Sequence, residues 1–94
     1  MKRIYKYDIQ PGGPSEVKMP IGSMILHVNQ QTDNDVKIWA IIEDENDAYA
    51  ETRYFYVAGT GHKLPDNIIT KYYYLGTVHV MNGQIVLHVF EEMK

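Results

Sequence analysis

The chain is 94 residues long, carries a formal net charge of −3 and contains no cysteine. A chain of that length forms one domain and buries a little over ~60% of the surface its unfolded form exposes, so a partner subunit would help its stability. Without cysteine there is no disulfide framework and no thiolate zinc site, and nine Lys and Arg spread over the chain offer no basic stripe for duplex nucleic acid.

Lys2, Arg3 and Lys6 lend the N-terminus positive charge, but no apolar stretch follows them. No run anywhere approaches the ~18 apolar residues of a membrane span, so a soluble, unprocessed cytoplasmic protein is expected. Eight tyrosines with many Val and Ile favour strands, since such side chains suit a pleated, half-buried surface. Residues 4–9 alternate Tyr5, Tyr7 and Ile9 against Lys6 and Asp8, and that strand should stop at Pro11-Gly12-Gly13-Pro14. Residues 17–19 pair only briefly before Pro20, and Met24–Asn29 reads as a strand with Met24, Leu26 and Val28 on one face. Val36–Glu43 is the most apolar segment, and its lack of clean alternation predicts a central strand covered on both faces.

Seven acids stand between residues 33 and 51, namely Asp33, Asp35, Glu43, Asp44, Glu45, Asp47 and Glu51, with Lys37 alone against them. The run from Asp44 superficially resembles a calcium loop, yet its sixth position is Tyr49 where glycine is needed, so a solvated loop is expected. Residues 49–58 resume as a strand with Tyr54 and Tyr56 opposite Phe55 and Val57, and Gly59-Thr60-Gly61-His62-Lys63 follows at once. Residues 64–71 hold a weak pattern in which Asp66 would cap one short helix.

Residues 72–81 and 84–92 flank Asn82-Gly83, the strongest short-range hairpin signal, which implies a type I′ turn. With those two residues as the loop, Met81 faces Gln84, His79 faces Val86 and Thr77 faces His88. One face then holds Val78, Val80, Ile85, Leu87 and Val89 and is core. The other holds Thr77, His79, Met81, Gln84, Val86, His88 and Phe90. The reading is all-β with at most one short helix: a single β-rich domain over residues 1–94, built as an antiparallel sheet, sandwich or partly open barrel that ends in a C-terminal hairpin.

His79 and His88 become diagonal neighbours on that second face, about 7 Å apart. Thr77, Met81, Gln84 and Phe90 around them offer no carboxylate or thiolate, so no metal and no cofactor is expected. Gly59, Thr60, Gly61, His62 and Lys63 bring backbone N–H groups, a hydroxyl, an imidazole and an ammonium together. That set suits a phosphate or carboxylate, although it matches neither a P-loop nor a dinucleotide fingerprint, and a plain strand-ending turn explains it as well. Trp39 and Tyr54 are candidates to stack on a base, with Arg53 to meet its phosphate. No catalytic residue emerges: Ser15 and Ser23 stand in no nucleophile motif, and the carboxylates cluster in a loop.

The segments Met19-Pro20-Ile21-Gly22, Ile25-Leu26-His27-Val28, Ile38-Trp39-Ala40, Val57-Ala58-Gly59-Thr60-Gly61-His62, Tyr74-Leu75-Gly76-Thr77-Val78 and Val86-Leu87-His88-Val89-Phe90-Glu91, with the N-terminal Ile-Tyr-Lys-Tyr strand, give the chain its resemblance. It resembles an uncharacterised family of small proteins encoded by tailed phages and prophages, over nearly its whole length. The resemblance implies a phage accessory protein acting in the cytoplasm of a bacterial host. By analogy of size and setting, such a protein would be a homo-oligomeric anti-defence sponge that binds an immune nucleotide signal without cleaving it. An alternative is a protein-interaction module that blocks a host protein or serves phage assembly through the acidic segment. A hydrolase of such a signal is the third reading.

Overall fold

Apolar side chains recur at every second position along most of the chain, and this period folds it into two antiparallel sheets. The computed structural model describes residues 1–32, 34–43 and 49–94. Its strands are β1 (Lys2–Ile9), β2 (Gly13–Pro20), β3 (Met24–Asn29), β4 (Val36–Glu43), β5 (Ala50–Gly59), β6 (Tyr72–Val80) and β7 (Ile85–Glu92), with one short helix, α1 (Ile68–Lys71). The order is β1-β4-β3 in one sheet and β2-β5-β7-β6 in the other. The expected all-β class holds, as an open sandwich with no closed barrel. One cluster fills the space between the sheets, with Met19, Val36, Ile38, Phe55, Val57, Val78 and Val89 almost wholly buried. No helix among the described residues is long and apolar enough to cross a membrane.

Strand β4 is central, as its composition predicts, but only one of its faces is covered. Val36, Ile38, Ala40 and Ile42 point into the core, whereas Lys37, Trp39, Ile41 and Glu43 are half-exposed on the outer surface. The continuous apolar run therefore supplies a core and an outer patch, not a strand buried on both sides. Strand β2 is longer than expected, because Gly13 and Pro14 begin it instead of ending its predecessor. Among the described residues it pairs only with β5, and an edge strand tolerates a residue that has no N–H to give.

In β3 the register slips between Ile25 and His27. The bulge moves Leu26 out of alternation, so Val28 is buried while Met24 and Leu26 are exposed, and the expected shared face is lost. A second slip lies between Tyr74 and Gly76 in β6. Both bulges sit where these two strands, from different sheets, meet. A Cβ on Gly76 would stand 2.8 Å from Cγ2 of Val28, so glycine is required for the approach.

The hairpin keeps the register set by Asn82-Gly83, with Val80 opposite Ile85, His79 opposite Val86 and Thr77 opposite His88. Met81, Asn82 and Gly83 all have positive φ, and the Gln84 N–H donates to the Met81 carbonyl at 3.0 Å. Val78, Val80, Leu87 and Val89 enter the core as expected, but Ile85, at the open end of the sheet, remains 45% exposed. Helix α1 begins later than predicted. Asn67, not Asp66, precedes it, with no side-chain cap bond.

Arg53 and Glu91 form a buried ion pair, the guanidinium donating from Nη2 to Oε1 at 2.9 Å and from Nε to Oε2. Nη1 donates to the carbonyl of Ser23, which leads into β3, so one side chain ties both sheets together. Removing one partner strands the other charge out of water. Arg53→Met is expected to cost about 3–5 kcal/mol in urea unfolding, and the double change Arg53→Met with Glu91→Leu to recover much of that loss. A single-variant cost within error of zero would remove the pair from the fold's support.

At the far end of β4, the N-terminal ammonium and Lys2 both donate to Glu43 and lower its pKa from 4.5 to about 2. A depressed carboxylate stabilises the folded state above its unfolded pKa and loses that contribution as pH falls. Acid unfolding should therefore lose stability between pH 4.5 and about 2, and Glu43→Gln should flatten that window in a pH series of urea midpoints.

Candidate functional site

The outer face of the four-stranded sheet carries the side chains that its core positions leave over. On β5, Phe55 and Val57 point inward, so Tyr54, Tyr56 and Ala58 point out. On β7, Leu87 and Val89 point inward, which turns Val86, His88 and Phe90 outward. His88 lies between Ala58 on one side and Thr77 of β6 on the other. Ala58 adds only a methyl group, and this leaves space beside the imidazole.

Both nitrogens of His88 are engaged. Nδ1 is 3.1 Å from the Thr77 hydroxyl and Nε2 is 2.7 Å from the Thr60 hydroxyl. The Tyr74 hydroxyl bonds to Thr77 and extends the chain to four groups. A neutral imidazole donates from one nitrogen and accepts at the other, so all the hydroxyls in the chain share one sense of donation. When Nε2 carries the hydrogen, the Thr60 O–H is left to donate to a ligand. Phe90 meets Tyr74 edge to face at 5.4 Å and walls the same region with aromatic surface.

The loop after β5 closes over this point. The His62 N–H donates to the Gly59 carbonyl at 3.1 Å, and Thr60 donates from its backbone to Val86 at 3.3 Å. Gly61 has φ +86, which favours glycine. The His62 ring lies directly on Gly59, where a Cβ would stand 2.9 Å from Cε1 and Nδ1. Three cavities meet here. One of about 170 Å³ is bounded by Thr60, His62, Leu64, His88 and Phe90. One of about 150 Å³ is bounded by Gly12, Tyr56, His62 and Lys63. One of about 480 Å³ is bounded by Thr60, His62, Gln84 and Val86. Gly59 and His62 line all three, and among the described residues no carboxylate lines any of them.

Of the residues singled out in the sequence, Gly59, Thr60, Gly61, His62, Lys63 and His88 come together. His79 shares the face, exposed and opposite Val86, while His88 takes its partners from threonines. Tyr54 is on the same face but near its other end, beside a cavity of about 300 Å³ that also touches Glu16, Tyr72 and Glu92. Two residues do not belong. Trp39 is on the outer face of the other sheet, 6.3 Å from the His27 ring, and Arg53 is buried against Glu91. The roles of Thr77 as a partner of His88 and of Ala58 and Leu64 as walls were missed, although the hairpin register already sets Thr77 opposite His88. Among the described residues no group of three or more His, Cys, Asp or Glu could hold a metal.

A family model described as a domain of unknown function, DUF7352, matches residues 1–94. The chain belongs to that family. The expectation of an uncharacterised family is thereby met. No curated protein and no solved structure matches the chain.

Because His62 is an exposed side chain that can swing away, Gly59→Ala should displace its ring at a stability cost below roughly 1 kcal/mol. Nuclear magnetic resonance of the imidazole signals would report a shifted His62 with an otherwise conserved spectrum. An unmoved His62 signal would refute the packing of that ring on Gly59.

Proposed function

We propose that the protein binds a small phosphate-bearing ligand at the loop 59–63 and holds it without cleaving it. The observation that carries this reading is the convergence of three cavities on Gly59 and His62, beside an imidazole whose nitrogens are held by Thr60 and Thr77. Lys63 and His62 supply cationic or donor groups, and a lining without carboxylates among the described residues favours an anion. Phe90 and Tyr56 offer ring faces of the kind on which a nucleobase stacks. Non-cleavage is the better reading because no described carboxylate lines the cavities to orient a histidine as a base or to activate water.

In the setting implied by the resemblance to phage-encoded proteins, the ligand is a nucleotide signal of bacterial immunity, and binding it in the host cytoplasm is sequestration. The rival reading, a contact surface made by the acidic segment, has less support. Asp33, Asp44, Glu45 and Asp47 lie outside the described residues. The remaining three acids are occupied: Asp35 by the N–H groups of Gln31 and Thr32, Glu43 by Lys2 and the N-terminus, and Glu51 by Lys94 and the Gly22 N–H.

A thermal-shift screen with inorganic phosphate, cyclic di- and trinucleotides and ADP-ribose derivatives tests the proposal. A ligand at ~100 times its Kd should raise Tm by roughly 10 °C or more in a domain of this size. The shift should fall sharply in Thr60→Val and His62→Ala, with intact ligand recovered by mass spectrometry. No shift with any of these compounds would sink the proposal, and recovery of cleaved ligand would replace it with a hydrolase.

A further inference from the structure

The two outer faces of the sandwich differ in a way that the ligand site does not explain. Tyrosines, threonines and histidines dominate the four-stranded sheet, so its ring surfaces carry polar tips that water can satisfy. The three-stranded sheet instead exposes a block of aliphatic side chains, set between Lys2 with Glu43 at one end and Lys6 with Asp8 toward the other. Ile4, Ile41 and Met24 are register partners in one row across all three strands, and Lys6, Trp39 and His27 form the next row. Ile4 is 61% exposed, Met24 60% and Leu26 45%, while Ile21, at 59%, continues the patch past the end of β3. A mostly apolar cavity of about 420 Å³ opens there between Ile21, Met24 and Ile41.

We propose that this face is where a second copy of the chain docks, so that two sandwiches pack through their three-stranded sheets and leave the loop 59–63 of each pointing outward. Size fits. Three strands ~4.8 Å apart and eight residues at ~3.3 Å give a footprint of roughly 400 Å² in projection, larger as accessible surface because the side chains stand up from it. The lower end of stable interfaces needs roughly 600 Å² per partner, and Ile21 extends the patch toward that figure.

Charge fits as well. Both ends of the face are neutralised within the chain, one by Lys2 with Glu43 and the other by Lys37 with Asp8 and Asp35. Such a rim neither attracts a strongly charged partner nor repels its own copy, and Lys6, in the row of Trp39, donates to the Gln31 side chain at 2.8 Å. Trp39, near the middle of β4, stands where interfaces concentrate their binding energy. The edges of the sheet offer no competing mode: Lys2, Lys6 and Asp8 discourage pairing along β1, and β3 packs against β6.

Sedimentation and light scattering on the full chain test this. The wild type should have a mass near twice 10.9 kDa at high micromolar concentration. The double variant Ile4→Glu with Met24→Glu should be monomeric with an unchanged circular dichroism spectrum, since both side chains are already exposed. Tyr54→Glu, on the opposite face, should remain dimeric. A monomeric wild type, or a dimer that survives the double substitution, would overturn the proposal. So would a wild type that stays monomeric but binds vesicles of zwitterionic phosphatidylcholine through this face, which would give it to lipid. The monomeric variant should still show any ligand-induced thermal shift, so failure of the interface and failure of the ligand site are distinguishable.

Discussion

Val57 pairs with Val89, and one step along the same ladder Ala58 pairs with His88. Because side chains alternate across a sheet, the first pair is committed to the core and the second to the outer surface. The two strands at the centre of the four-stranded sheet thus carry packing on one side and the imidazole on the other. A slip of one residue between β5 and β7 would exchange them, exposing valines and burying His88. Stability therefore enforces the geometry of the site: the burial that holds Phe55, Val57 and Val89 is also what aims His88 between its two threonines.

Electrostatics divides the molecule in the same way. Three of the described carboxylates serve internal support, Glu43 on the N-terminus and Lys2, Glu51 on Lys94, and Glu91 on Arg53. None lines the cavities around the loop 59–63, where Lys63 and two histidines remain. The formal net charge of −3 describes the whole chain poorly at this point. A local surplus of donors can persist in an acidic protein when the acids are occupied elsewhere.

The hairpin was legible in the sequence because its information is local: Asn82 and Gly83 take the positive φ that their residue types favour, and the register follows from them. The loop 59–63 was legible for the same reason. What escaped depends on distant neighbours. The bulge at Leu26 arises where β3 meets β6, some fifty residues later in the chain, and no pattern within β3 announces it. Trp39 and Arg53 looked like ligand groups by residue type alone. Which sheet holds Trp39, and whether a carboxylate waits for Arg53, are questions of topology. Strand β2 was under-read because Gly13 and Pro14 break a central strand but not an edge.

The prolines of β2 have a consequence for crowding. Pro14 and Pro20 are six positions apart, an even separation, so their nitrogens point the same way from an edge strand whose other side pairs with β5. With those nitrogens turned away from β5, residues 14, 16, 18 and 20 are the ones whose N–H groups would meet an incoming strand, and two of these four have no hydrogen to give. A foreign strand laid along this edge finds the first and last of these four rungs absent, with Glu16 and Lys18 between. The β2 border of the four-stranded sheet thereby resists templated growth into fibrils.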